Sequence, residues 1–206
     1  MKQVSGWLAV CLCLLVSAAG IRAGEPIEEG ILDRIVLHAE KAPGGVPVVV
    51  RLFDSSKADL GTGAEGGKEK HVAAAKIFQE QAPGILADSL VEELGEKGSF
   101  GEVSLASGGE VPADAIVIEG RFTVLDPGSR AKRYFAGFGA GKGIIEIEGT
   151  VESAGGETLA EFAHRRVAVM GVGGGDYERK MRADCERLGE DLAEFLDTWS
   201  RGKSLD

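Results

Sequence analysis

Hydrophobic residues recur at helical spacing in two stretches of the chain. In the first stretch the apolar side chains lie four residues apart, at Phe78, Ala82, Leu86, Leu90 and Leu94. Residues at this spacing share one face of a helix. Pro83 removes a hydrogen bond inside the stretch, but the apolar phase continues through it, which predicts one kinked helix rather than two. Gly95 or Gly98 is expected to end this helix.

The second stretch predicts the strongest helix, near the end of the chain. Its apolar positions follow steps of four and three: Tyr177, Met181, Cys185, Leu188, Leu192, Phe195 and Trp199. Asp176 precedes them and is a favourable N-cap, and Gly202 lies just beyond them. Cys185 is expected to be buried on the apolar face, where a thiol packs as a small hydrophobic group.

Alternating positions predict the strands. Residues 115–125 place Ile116, Ile118, Gly120, Phe122 and Val124 on one face and Glu119, Arg121 and Thr123 on the other. Ile145, Ile147, Gly149 and Val151 alternate in the same way with Glu146, Glu148, Thr150 and Glu152. Such alternation indicates one packed and one wet face. A turn at 154–157 leads to a third strand over 159–170, whose imperfect alternation indicates a bulge.

Shorter elements complete the predicted order. Residues 46–53 are mostly β-branched and apolar, which predicts a buried strand. A further strand is possible near Val103, and residues 31–37 are compatible with either a helix or a strand. Grouped strands and two long helices predict an α+β fold, with an antiparallel or mixed sheet of roughly four to five strands and both helices on one face. We expect one domain over 46–201, preceded by a lead-in at 24–45 and followed by a tail at 202–206.

The first residues have the pattern of a signal peptide. Lys2 precedes an apolar run over residues 7–19, which is too short for a stable membrane anchor. Cleavage is expected after Ala23, with Ala19 as the alternative site. Val10 and Leu12 precede the two leader cysteines, so the small residues that lipid modification needs are absent and lipid anchoring is not expected. A periplasmic or secreted protein without a transmembrane segment is therefore predicted.

Composition narrows the function classes. The 206 residues hold 23 Lys and Arg against 33 Asp and Glu, a net charge of −10. This balance and an aromatic content of 6% argue against a nucleic-acid-binding protein. Removal of residues 1–23 leaves Cys185 as the last cysteine, so the mature chain has no internal disulfide.

No residue pattern predicts catalysis, a metal site or a cofactor. His38, His71 and His164 lie in different segments, none at the i,i+4 spacing of a metal-binding helix, and each is expected to be exposed or hydrogen-bonded. Glu146 and Glu148 share a strand face. General acid–base catalysis by two carboxyl groups requires that their surroundings move the two pKa values apart, and nothing in the sequence indicates such a difference. The protein is therefore expected to be non-enzymatic.

A glycine-rich stretch over residues 137–143 departs from a phosphate-binding loop. Ala136 stands where the first glycine of a Walker A motif belongs, and Gly143 stands where its hydroxyl residue belongs. The stretch also leads into a strand, so no helix N-terminus would face a phosphate. A nucleotide site is not predicted.

The segment from Gly128 to Gly143 is the candidate binding site. It combines basic and aromatic side chains with glycines that allow close backbone approach: Ser129, Arg130, Lys132, Arg133, Tyr134, Phe138 and Lys142, with Gly128, Gly137, Gly139 and Gly141. Two interpretations remain open. In the first, the basic side chains contact an acidic partner, because long loops are often functional. In the second, they form ion pairs with Glu146, Glu148 or Glu152 of the neighbouring strands.

The same segment carries a family resemblance. Residues 126–134 and 137–142, together with 60–63, 114–115, 189–191, Phe195 and Trp199, resemble the bacterial domain of unknown function 4410 family. The resemblance extends over 46–199 and implies exported proteins or envelope lipoproteins of Gram-negative bacteria that have no assigned activity. The element order is also similar to small domains of envelope assembly proteins, which is an analogy of fold alone.

These observations together predict an exported, non-enzymatic envelope protein. The leading hypothesis is a binding or assembly module whose basic, glycine-rich segment contacts an acidic envelope component or protein. A periplasmic hydrolase acting on glycan or peptide is the first alternative and a purely structural domain the second. The oligomeric state is left open by the sequence.

Overall fold

The computed structural model describes residues 24–28, 30–61, 69–106, 110–128, 143–168 and 177–205. Two long helices and a mixed seven-stranded sheet form this part of the chain. The strands are β1 (Pro26–Glu28), β2 (Arg34–Leu37), β3 (Val48–Val50), β4 (Val103–Leu105), β5 (Ile116–Asp126), β6 (Gly143–Ser153) and β7 (Thr158–Ala168). The helices are α1 (Glu69–Lys97) and α2 (Tyr177–Ser200).

The predicted α+β class is confirmed, but the expected number of strands was too small. The strand order is β1-β2-β7-β6-β5-β3-β4, in which β3 pairs in parallel with β4 and β5 and the other pairs are antiparallel. Strands β3 and β4 lie where strands were expected, whereas β1 and β2, which are outside the expected count, have three and four residues. Alternation cannot be recognised over so few residues, which explains the undercount. Residues 31–37, left open by the sequence, contribute strand β2.

Both helices pack on one face of the sheet. Helix α1 is continuous through Pro83, as predicted, and Gly98 with a φ of +66° follows its end. The predicted stripe of α2 is buried at Met181, Cys185, Leu188, Leu192, Phe195 and Trp199. The rings of Phe195 and Trp199 stack with their centroids 5.7 Å apart. No helix in the described ranges is long and apolar enough to span a membrane.

Two glycines make room for aromatic rings on the packed face. Gly120 of β5 lies directly opposite Gly149 of β6. A Cβ at position 120 would overlap Phe53, and a Cβ at position 149 would overlap Phe162. The two rings are 6.2 Å apart between centroids, and both side chains are buried. The glycine pair therefore allows the core to hold aromatic groups directly against the backbone of the sheet.

One predicted core position was wrong. Val124 was expected on the packed face, but it is only partly buried, whereas Leu125 is fully buried. The register of β5 against β6 shifts between Phe122 and Val124. A β-bulge of this kind reverses the alternation beyond it, so the next side chain faces the core. The irregularity predicted in the third strand is also present, where Val151 pairs with Ala160 and Glu152 pairs with Thr158.

The two ends of the described chain meet beside β2. The N–H of Ile31 donates to the carbonyl oxygen of Leu205 at 3.1 Å, and Leu205 is buried. A Cβ at Gly30 would overlap the same carbonyl group. Residues before β2 and after α2 thus close over the same end of the core.

Candidate functional site

The structure describes the two ends of the predicted binding segment, Gly128 and Gly143, and Gly143 is already the first residue of β6. Gly128 has a φ of +75°, and its N–H donates to the Asp126 carboxylate at 2.7 Å. This is the local turn by which β5 ends, since an Asp side chain often accepts the N–H two residues further on. The candidate residues Ser129, Arg130, Lys132, Arg133, Tyr134, Gly137, Phe138, Gly139, Gly141 and Lys142 lie outside the described residues. Their proposed role stays a prediction.

The two points of attachment of this segment are close together. Asp126 lies opposite Ile144, and Gly143 lies opposite Ala168. The segment therefore begins and ends at one end of the three longest strands. Gly61 also packs there, because it lacks a Cβ that would overlap the Asp126 carboxylate.

The sheet face opposite the helices carries charged side chains in cross-strand pairs. Arg51 donates to Glu119 at 2.5 Å, and Arg121 of β5 donates to Glu148 of β6 at 2.8 Å. The four side chains are between 37% and 61% exposed. Exposed pairs of this kind contribute little to stability. We call this surface the open face. It extends over strands β2, β7, β6, β5 and β3, on the side of the sheet away from the helices.

A shallow cavity of about 580 Å³ lies on the open face. Arg34 of β2 lines one side, and Arg51 and Arg121 line the other. Glu119, Glu148 and Glu161 line the cavity between them. Its size is within the range of small-ligand sites, and its lining combines charged side chains with a similar share of apolar surface, to which Leu52 contributes. Such a surface can form hydrogen bonds and ion pairs with a polar partner.

Two arginines of the open face were missed by the sequence reasoning. Arg34 lies opposite Ala163, and Arg165 is two residues further along β7. Neither guanidinium forms an ion pair with any residue in the described ranges, although Glu28 and Glu146 lie opposite them in register. The alternation of Glu161, Ala163 and Arg165 along β7 was the signal that could have placed Arg165 on the wet face.

The attachment end of the open face also presents apolar surface. Ile144 lies directly opposite Val167, and Val167 is 40% exposed. Arg165 and Glu146 form the adjacent cross-strand pair on the same face. Val167 therefore adds a small apolar area to the charged end of this face.

A second polar cluster lies between the sheet and α2. The carboxylate of Asp191 accepts hydrogen bonds from Arg166 at 2.5 and 2.8 Å and contacts His164 Nε2 at 2.9 Å. Burial by itself raises the pKa of Asp191, but the hydrogen bonds from His164 and Arg166 outweigh it and hold that pKa below its usual value. The other ring nitrogen of His164 is 2.8 Å from Asp33 Oδ2. The expectation that His164 is hydrogen-bonded is confirmed.

The candidate acid–base and nucleophilic groups do not converge. Glu146 and Glu148 belong to the open face, whereas His164 contacts α2 on the packed face. Cys185 is fully buried, and burial raises the pKa of its thiol far above the usual value. His38 contacts Glu161 at 2.9 Å. In the described ranges no three His, Cys, Asp or Glu side chains are grouped so that they could hold a metal ion.

Comparisons with known proteins identify a family. A family model described as a domain of unknown function (DUF4410) matches residues 48–172. No curated protein matches the chain.

Two solved structures have a similar arrangement. One is the PelC dodecamer from Paraburkholderia phytofirmans, with 10% identity, 74% of this chain and 94% of that chain covered, and a TM-score of 0.39. The other is a Xanthomonas campestris protein assigned to the DUF330 family, with 11% identity, 78% and 88% coverage, and a TM-score of 0.44.

Proposed function

The chain belongs to the family described as a domain of unknown function (DUF4410), and from that premise we propose that it is an exported, non-enzymatic envelope protein that binds a partner. The proposed contact surface is the attachment end of the open face together with the basic segment 128–143. The partner is an acidic envelope component or protein.

One observation carries the proposal. The described attachment points of the segment, Gly128 and Gly143, lie at the end of a sheet face that neither helix covers. Side chains of the segment and of the open face can therefore contact the same partner. The exposed Val167 adds apolar area beside the charged groups.

The charge of this region supports an acidic partner. The segment has four basic residues and no acid between Ser129 and Lys142, in a chain with a net charge of −10. Arg165 adds a guanidinium without an ion-pair partner among the described residues. Guanidinium groups bind carboxylates through paired, charge-assisted hydrogen bonds, which give both attraction and orientation.

Export rests on the leader-like pattern of residues 1–23, which lie outside the described residues. Cell fractionation combined with mass measurement of the purified protein tests it. We expect a periplasmic or secreted chain that begins at Gly24. A chain that retains its leader in the cytoplasm would contradict this part of the proposal.

Partner binding is tested by the substitutions Arg130→Ala and Arg133→Ala together. The matched control is Arg182→Ala with Arg187→Ala, which removes the same charge from the exposed surface of α2. Crosslinking and pull-down from periplasm, and binding of a fluorescent poly-glutamate peptide, are measured for each variant. We expect the variant with Arg130→Ala and Arg133→Ala to lose most of its binding while its melting temperature stays unchanged.

Two results would count against this function. If the segment variant unfolds, the segment is structural and the domain is a scaffold. If it stays folded and binds as the control variant does, the segment is not the contact surface.

A further inference from the structure

His164 links three parts of the fold through a single ring. It lies on β7, and its side chain is 12% exposed. Nδ1 is 2.8 Å from the carboxylate of Asp33, which directly precedes β2. Nε2 is 2.9 Å from the carboxylate of Asp191 on α2. The ring therefore connects the N-terminal hairpin, formed by β1 and β2, to the last helix.

The number of ring protons decides how many of these contacts are hydrogen bonds. An ionised carboxylate only accepts, and a neutral imidazole has a single N–H to donate. Both carboxylates can be bound only when both ring nitrogens carry a proton. In the neutral ring, one nitrogen lone pair faces a carboxylate oxygen.

The surroundings determine which contact is lost. Asp191 keeps two hydrogen bonds from Arg166 when the ring is neutral. The Asp33 carboxylate has only the backbone N–H of Arg165 as another described donor, at 2.6 Å. The backbone N–H of Asp33 itself is 3.3 Å from Nδ1 and can donate to that nitrogen once its proton has left. The Asp33 side is therefore the one that weakens, because a charge-assisted hydrogen bond to its carboxylate is exchanged for a longer one from its backbone N–H.

The charges around the ring come from each element that packs against it. The loop before β2 contributes Asp33, α2 contributes Asp191, and β7 contributes Arg166. Strand β6 places the apolar Ile147 opposite His164. The ring therefore lies between two carboxylates, and among the described side chains the Arg166 guanidinium binds the Asp191 side and not Asp33.

We propose that His164 is a proton-sensitive latch that holds the N-terminal hairpin on the sheet when both ring nitrogens are protonated and loosens it when Nδ1 loses its proton. The hairpin is at one edge of the sheet, where among the described strands β1 pairs with β2 alone and β2 joins the rest through β7. Strand β2 pairs with β7 over four residues, and burial of Ile35 and Leu37 in the core also holds it, so the latch changes how often this part of the sheet opens and not whether it is attached. This inference does not depend on the proposed partner.

The test uses the mature chain with His164→Gln, and His38→Gln is its matched control. His38 follows β2 and contacts the Glu161 carboxylate through one ring nitrogen only. Nitrogen-15 NMR of the rings reports their protons, and native-state hydrogen exchange reports opening of the β2 amides, corrected for intrinsic exchange. In wild type we expect two ring protons on His164 at pH 5 and about tenfold more hairpin opening at pH 8, the effect of one charge-assisted hydrogen bond.

The variants separate the latch from a purely structural role. His164→Gln should abolish the pH dependence of β2 opening, and His38→Gln should retain it. Asp33→Asn, which keeps the ring and Asp191, should also abolish it and serves if His164→Gln fails to fold. A single ring proton on His164 at pH 5, or unchanged pH dependence in Asp33→Asn, would overturn the latch.

Discussion

Ser55 and Gln79 exchange two hydrogen bonds that compensate for a proline in α1. The Ser55 hydroxyl donates to the Gln79 carbonyl oxygen at 2.7 Å, and the Gln79 side-chain amide donates to the Ser55 carbonyl oxygen at 2.6 Å. In an uninterrupted helix the Gln79 carbonyl would accept the N–H of residue 83. Pro83 has no N–H, so the loop after β3 supplies the missing donor.

Ser55→Ala is expected to destabilise the protein by about 1–3 kcal/mol, because it leaves the Gln79 carbonyl without its donor. In a Pro83→Ala background the same substitution should cost clearly less, since the backbone N–H of the introduced alanine can donate to that carbonyl. Urea unfolding of the four proteins in this cycle measures the coupling. Equal costs in both backgrounds would mean that Ser55 does not compensate for Pro83.

Gly120→Ala and Gly149→Ala are each expected to destabilise the fold by about 1–3 kcal/mol or more, as overpacking does in a well-packed core. Each new Cβ would overlap a backbone carbonyl of the paired strand and a phenylalanine ring. Gly155→Ala is the control, because its nearest neighbour is a serine hydroxyl at 3.7 Å and its φ is not positive. Thermal unfolding of the three variants checks this, and a loss for Gly155→Ala as large as the other two would contradict it.

Gly189 and Gly95 are both inside helices but should respond in opposite directions to alanine. Gly189 packs against Ser89, whose Cβ would be 2.8 Å from a Cβ at position 189. Gly189→Ala should destabilise the contact of α1 with α2 by about 1–3 kcal/mol. A Cβ at position 95 would meet no described atom within 4 Å beyond the backbone of its own helix, and Gly95→Ala should stabilise α1 by about 0.5–1 kcal/mol. Denaturant midpoints compare them, and a stabilised Gly189→Ala would disprove close helix packing.

Asp191 should make the free energy of unfolding decrease as the pH becomes acidic. Its pKa is lowered in the folded protein, so the stabilisation is present above the unfolded pKa and is lost as the pH falls through the folded value. Asp191→Asn should be less stable than wild type by about 1–3 kcal/mol at pH 7, because Arg166 and His164 lose a charged acceptor. The difference should shrink below about pH 4. Urea unfolding from pH 7 to pH 2 measures it, and a constant difference would exclude this linkage.

The long elements were readable from the sequence because each repeats its period several times. The α2 stripe from Met181 to Trp199 is an example, and so is the alternation of β6 from Ile145 to Val151. The bulge after Phe122 was not readable, since Val124 and Leu125 are both apolar and either can serve as the core position. The strands β1 and β2 were too short for a period to appear.

The polar clusters were less accessible from the sequence than the elements. Asp33, His164 and Asp191 are separated by 131 and 27 positions, and only strand pairing and helix packing bring them together. The absence of ion pairs at Arg34 and Arg165 within the described ranges depends equally on which side chains face them across strands. The basic segment 128–143, in contrast, was recognised by local composition alone.

The sequence by itself determined the α+β class, the helices, the long strands and the family, because these depend on local periodicity and on contiguous motifs. Tertiary structure decided the seven-strand order, the open face beside the segment's attachment points, and the placement of His164 between two carboxylates. Those features depend on hydrogen bonds and charge contacts between residues far apart in the chain, and no local pattern specifies such partners.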